Sequence, residues 1–204
     1  MFCYTNTTFI YLFNIMSETT INDFSLLCRL FGNLFYRNPT DPILAGTFNW
    51  LAQGGLQQHW ALSTDAQSEN ALNILQKSAN PTQLEASYQA LFAENGAIAT
   101  TISTYGLSVE DFVTFRQERA MPALENADHV ALLLLTASWI EDNLDSTLAQ
   151  KILFERFLLP CASQFLGKVE AFDSGFYKAL AQLTRDALSA MADELEESEQ
   201  EAVE

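Results

Sequence analysis

The chain has 204 residues, 49% of them hydrophobic, which is enough for one compact domain with a substantial core and argues against disorder. A formal net charge of −16 and a pI near 4.3 leave too few Lys and Arg to neutralise phosphates, which excludes nucleic acid and anionic membranes as partners and favours a basic polypeptide. Gly (8) and Pro (5) are scarce and the turn-rich spacing of sandwiches and barrels is missing, so the composition predicts an all-α fold.

The first fifteen residues, MFCYTNTTFIYLFNI, are uncharged and rich in aromatics. They lack the basic start and small-residue cleavage site of a secretory signal, and they fall short of the ~20 apolar residues that span a bilayer. Met16 is followed by an ordinary polar start, SETTINDF, so residues 1–15 are expected to be an upstream extension, with a helix packing onto the body as the rival.

From Asp23, a plausible N-cap, FSLLCRLFGNLFYRNP sets Phe24, Leu27, Leu30, Phe31, Leu34 and Phe35 on one helical stripe, stopped at Asn38-Pro39. A second helix is predicted over PILAGTFNWLAQ, ending at Gly54-Gly55, then a loop with His59-Trp60 and a helix from about Thr64 to Lys77. Asn80-Pro81 opens a further helix, PTQLEASYQALFAE, and the small, polar stretch at 95–106 reads as a loop. Ser108 caps a helix over VEDFVTFRQER, with Asp111 three residues on. Val130 to Ala137 is apolar on nearly all sides and predicts a central buried helix. A long helical region over 145–172 should kink at Pro160, and Ser174 is expected to open the last helix. About eight helices or more result, forming one domain over 16–192.

The last twelve residues, DELEESEQEAVE, hold seven carboxylates and no base, so 16 − 7 leaves a charge of −9 for the rest. This stretch, 193–204, is expected to be a solvated acidic tail on a frayed helix end. Cys3, Cys28 and Cys161 form no CxxC and imply neither a disulfide framework nor a zinc ribbon, which fits a reducing cytoplasm.

The candidate chemistry gathers at ENADHVALLLLTASWIEDN, residues 125–143. Adjacent Asp128 and His129 on a helix would point about 100° apart, so they cannot act as a base and its orienter. Metal ligation wants partners at i+3 or i+4, whereas the other histidine, His59, is seventy residues away. Glu125 and Asp128 suit the first turn of a helix capped by Asn126, where the macrodipole favours anions. That dipole disfavours a protonated His129 and the neighbouring carboxylates favour it, which leaves its charge open. No phosphate-cradling loop or nucleophile elbow is present, so neither a cofactor nor an enzyme activity is expected.

The segments FSLLCRLFGNLFYRNPTDP, YQALFA, ENADHVALLLLTASWIEDN and LLPCASQFLGKVEAFDSGFYKALAQLTRDALSAM resemble the TorD/DmsD family of redox-enzyme maturation chaperones over residues 22–192. The resemblance runs to its YcdY-type branch through LCRLFGNLFYRNPTDP, FLGKVEA and the LTRDALSAM-DELEE ending. It implies an all-helical, cytoplasmic, non-enzymatic chaperone, without stable membrane insertion, that binds the twin-arginine leader or apo form of a molybdopterin oxidoreductase-type client. Glu125, Asp128 and His129 match the family's E-P-x-D-H motif. Arg29 and Tyr36 match polar and aromatic positions of the first helix, and Tyr88, Leu91 and Phe92 match the lining of the peptide groove. Two departures stand out: Asn126 replaces the motif proline, and AENGAIATTISTYG replaces the family's Trp- and Pro-rich loop. The YcdY-type branch is itself associated with a metal-dependent phosphatase as client, so the chaperone role is implied more firmly than any one client. The rival readings are a hydrolase centred on Glu125, Asp128 and His129, and an interaction module acting through its acidic tail. A monomer and a domain-swapped dimer both stay open, with the 95–106 loop as a conceivable hinge.

Overall fold

The computed structural model describes residues 23–144 and 146–203, with side chains through 197. The proposed extension, residues 1–15, and Cys3 lie outside the described residues. Ten α-helical segments and no strand are found among those described, in one all-α domain.

Helix α1 (Asp23–Tyr36) buries the predicted stripe, with Phe31, Leu34 and Phe35 at or below 1% exposed. A 3₁₀ turn (Pro42–Leu44), capped by Asp41, leads into α2 (Ala45–Ala52). A one-turn helix, α3 (Gly55–Gln58), follows at once and was not anticipated; its Gly54 opening residue takes a left-handed φ of 79°. Helices α4 (Ala66–Lys77) and α5 (Pro81–Phe92) start at Asp65 and Asn80, whose side chains accept the orphan N–H groups of the first turn.

The loop expected at 95–106 contains a 3₁₀ turn (Ile102–Tyr105), and α6 (Val109–Gln117) begins at Ser108, whose Oγ accepts the Asp111 N–H at 3.1 Å. Helix α7 (Ala131–Asn143) is buried along most of its surface. It runs antiparallel to α1, since Ser25 meets Ser138 at one end and Tyr36 meets His129 at the other. Gly32 permits this approach: a Cβ there would lie 2.8 Å from Leu135 Cδ2 and 3.2 Å from the Ala131 carbonyl. Gly32→Ala is expected to destabilise the fold by about 1–2 kcal/mol in urea titration.

The expected kink at Pro160 takes a definite form. Helix α8 (Thr147–Leu153) passes through a π turn (Phe154–Leu158) into α9 (Leu159–Phe172). The Leu159 N–H donates to the Phe154 carbonyl, five residues back, and the widened turn precedes the proline that has no N–H of its own. The last helix, α10 (Phe176–Val203), is opened by Asp173 rather than the predicted Ser174: its Oδ2 accepts the N–H groups of Gly175 (3.2 Å) and Lys178 (2.9 Å). Helix α10 packs against α9, α4 and α1, completing the core around α7. The acidic stretch from 193 continues this helix to Val203.

Candidate functional site

The cap predicted at Asn126 does not form. Residues 126–129 are loop, and α7 begins at Ala131. Tertiary bonds hold the segment out of the helix. The Val130 N–H donates to the Thr100 carbonyl at 2.7 Å, and Asp128 accepts both the N–H (3.0 Å) and Oγ–H (2.6 Å) of Ser103. Asn126 instead turns its Oδ1 to the Asp128 N–H at 3.3 Å, a local turn that leaves the helix start to another residue.

That residue is His129. Its Nδ1 accepts the Ala131 N–H at 3.1 Å, so the neutral ring acts as the side-chain cap of α7 and carries its proton on Nε2. Burial pushes its pKa down from 6.5 to about 4, against the opposing pull of Asp128, which settles the charge that the sequence left open. The imidazole also meets the Tyr36 ring edge-on, with centroids 4.9 Å apart at 84°.

Tyr36 links this mouth to α5. Tyr88 donates its hydroxyl to the Tyr36 carbonyl at 3.0 Å, and its ring lies 5.5 Å from Phe92. Phe92 is 7% exposed and Leu91 5%, so both belong to the core, and Phe92 packs against Tyr88 of the surface formed by Tyr36, Tyr88, Asp128 and His129. Buried Arg116 steadies the approach to the site, donating to Thr136 Oγ1 (2.5 Å) on α7 and to the Pro122 carbonyl (2.8 Å) just upstream of the motif. No signal in the sequence marked Arg116 or Ser103, because each acts through partners 20 and 25 residues away.

Two residues assigned to the site by resemblance stand apart from this surface. Glu125 is exposed, and no hydrogen bond joins it to the cluster among the described residues. Arg29 lies about 10 Å along α1 from Tyr36, at the opposite end of α7. There it is paired with Asp142 and donates to Ser25 (3.2 Å) and Ser138 (3.3 Å).

The arrangement suits holding rather than turnover. Asp128 is bonded to Ser103 and His129 to the start of α7, so the pair does not form the mutual hydrogen bond of a base and its orienter. Among the described residues no group of three or more His, Cys, Asp or Glu is placed to hold a metal. Cys161 is fully buried, its thiol pushed up to about 12, and Cys28 is likewise raised by burial, so neither is a ready nucleophile. Among the described residues no helix is long and apolar enough to cross a membrane.

No family model matches the chain. It is 61% identical to an uncharacterised protein of Haemophilus influenzae, over 89% of this chain and all of that one. It is 43% identical to chaperone protein YcdY of Escherichia coli K12, over 89% of this chain and 100% of the relative. It is 28% identical to the Tat proofreading chaperone DmsD of Salmonella typhimurium, over 82% of this chain and 88% of that protein. These relatives define the class: a redox-enzyme maturation chaperone, not an enzyme. The chain belongs to the TorD/DmsD family, in its YcdY branch.

Proposed function

We propose that the chain is a cytoplasmic chaperone that holds the apo form or leader of a metalloenzyme, of the molybdopterin oxidoreductase type, until cofactor insertion or export. The observation that supports this most is the convergence of Tyr36, Tyr88, Asp128 and His129, from separate parts of the chain, on one partly exposed surface. Each contributes distinct chemistry. A carboxylate has about four lone-pair sites, and Ser103 occupies two at Asp128, which leaves acceptor capacity for a client Arg or Lys. The His129 Nε2–H has no acceptor among the described residues and offers a donor to a client carbonyl. Tyr36 and Tyr88 add apolar ring surface for a hydrophobic run. The mechanism is reversible burial of a client segment, with no bond made or broken.

Identity of 43% to YcdY against 28% to DmsD, with no Trp or Pro between Ala93 and Gly106, supports a second reading in which the client is the apo form of a metal-dependent phosphatase. Leader peptides and apo-enzyme should therefore be compared as baits. Changing Asp128 and His129 together to alanine is expected to weaken capture about tenfold or more while far-UV circular dichroism is kept. Asp128→Asn, which retains an acceptor for Ser103 but removes the charge, separates client binding from loop anchoring. Unchanged capture by both variants would sink the assignment.

A further inference from the structure

The 3₁₀ turn Ile102–Tyr105 is held at two points by opposite charges. At one of them Asp128 accepts the Ser103 N–H at 3.0 Å and the Ser103 hydroxyl at 2.6 Å. At the other, the Lys168 ammonium of α9 stands 4.8 Å from the centre of the Tyr105 ring. That ring is itself fixed: its hydroxyl donates to the Ala99 carbonyl at 2.7 Å, and it meets Phe165 edge-on with centroids 6.3 Å apart. Tyr105 is buried and Lys168 exposed, so the lysine lies across the ring and keeps its charge in water.

Among the described residues no carboxylate lies within ion-pair distance of Lys168, whereas Arg29, Arg37, Arg119, Lys151 and Arg185 each have one. A chain with 26 acidic residues and only 10 basic ones thus leaves a cation unneutralised beside its client surface. Its distance from Asp128 follows from α9. Asp128 is near enough to Cys161 to help hold that thiol up, and Cys161 and Lys168 are two helical turns apart on nearly one face, about 10 Å along the axis. The two charges therefore stand on the order of 10 Å apart, with the exposed turn residues Ser103 and Thr104 between them.

We infer that the client surface is dipolar, with Lys168 as a second anchor, and that the segment it holds carries a basic residue for Asp128 and an acidic residue three positions away for Lys168. This rests on the client-binding reading of Asp128 and adds the charge pattern the client must show. A polyproline-type strand has three residues per turn and a rise of about 3.1 Å, which sets residues i and i+3 on one side about 9 Å apart. That matches the span from Asp128 to Lys168. The pair also discriminates. A net charge of −16 attracts any polybasic stretch, but such a stretch seated on Asp128 would press a second cation against Lys168, whereas a segment of mixed charge satisfies both.

Nuclear magnetic resonance titration of the full chain tests this, with the end-blocked hexapeptides LRPPEL and LEPPRL, which carry the two charges in either order, as probes. One order is expected to shift the Ser103, Tyr105 and Lys168 amides saturably, with a Kd of about 1 mM. Replacing the acidic residue of that peptide by glutamine should weaken binding about threefold. The difference should vanish in Lys168→Gln, survive in Lys168→Arg and reverse in Lys168→Glu, a cycle that isolates the pair from any general change in the surface. Lys168 is exposed, and unchanged far-UV circular dichroism checks that each variant is folded. Asp128→Asn should remove the dependence on the peptide's arginine and leave the dependence on its acid. Absence of saturation by about 10 mM in both orders, or a preference for the acid that persists in Lys168→Gln, would overturn the inference. Dependence on Lys168 without any on Asp128 would instead keep the cation anchor and remove Asp128 from the client surface.

Discussion

Replacing Phe92 with alanine is expected to lower stability by about 3–5 kcal/mol. Its ring lies among four others: Phe35 at 6.0 Å, Tyr88 at 5.5 Å, Phe165 at 6.1 Å and Tyr177 at 5.1 Å. Those rings come from α1, α5, α9 and α10, so no single side chain can relax into the space left behind. The loss also reaches the surface. Tyr88 rests on Phe92 while donating to the Tyr36 carbonyl, and the Tyr36 ring bears on His129. Client capture should weaken in parallel with urea-measured stability, whereas Phe92→Leu should cost about 1.5 kcal/mol or less and keep capture. A Phe92→Ala variant within about 1 kcal/mol of the parent would show that the ring cluster is not the support of the site.

The helices were legible wherever the signal was local. The stripe of α1, the Asn80-Pro81 opening and the Ser108 cap are short-range patterns, and α5 and α6 start where they say, while α4, expected from about Thr64, starts at Ala66 behind Asp65. The start of α7 was misread for the opposite reason. Asn126 followed by an apolar run satisfies a capping pattern, but Ser103 and Thr100 outcompete the helix for Asp128 and the Val130 N–H. Those partners are remote in sequence, and a capping rule cannot weigh them. Ser174 failed on a smaller scale: Asp173 beside it is the stronger acceptor for the first turn of α10.

The site divides along the same line. The family motif marked Asp128 and His129, and it carried Tyr36 and Tyr88 with them. It could not show that the Tyr88 hydroxyl reaches across 52 positions to the Tyr36 carbonyl, nor that Leu91 and Phe92 are core residues, with Phe92 packed against Tyr88. Arg29 shows the limit most clearly. It shares a helix with Tyr36, yet the antiparallel course of α7 delivers it to Asp142, at the far end of α7 from His129.

His129 supplies the second large effect, as a pH dependence of folding. Its pKa in the folded protein is pushed down by burial to about 4, from an ordinary value of 6.5. Between those values the unfolded chain takes up a proton that the folded chain refuses. Stability from this group is therefore complete above about pH 6.5 and is lost progressively as the pH falls toward 4, reaching on the order of 3 kcal/mol. The structural event is specific: protonating Nδ1 turns the acceptor of the Ala131 N–H into a second donor, so the start of α7 loses its cap as the ring becomes charged. His129→Gln should be less stable at neutral pH by about 1 kcal/mol, yet show a flatter acid limb. Asp65 and Glu85, whose pKa values are lowered by hydrogen bonds, also withdraw stability in more acid solution, but they do so in both proteins. The readout is thus the difference between parent and variant from urea titrations across pH 4 to 7. A constant difference over that window would mean that His129 titrates normally, and with it the cap that sets the mouth of the binding surface would have to be reassigned.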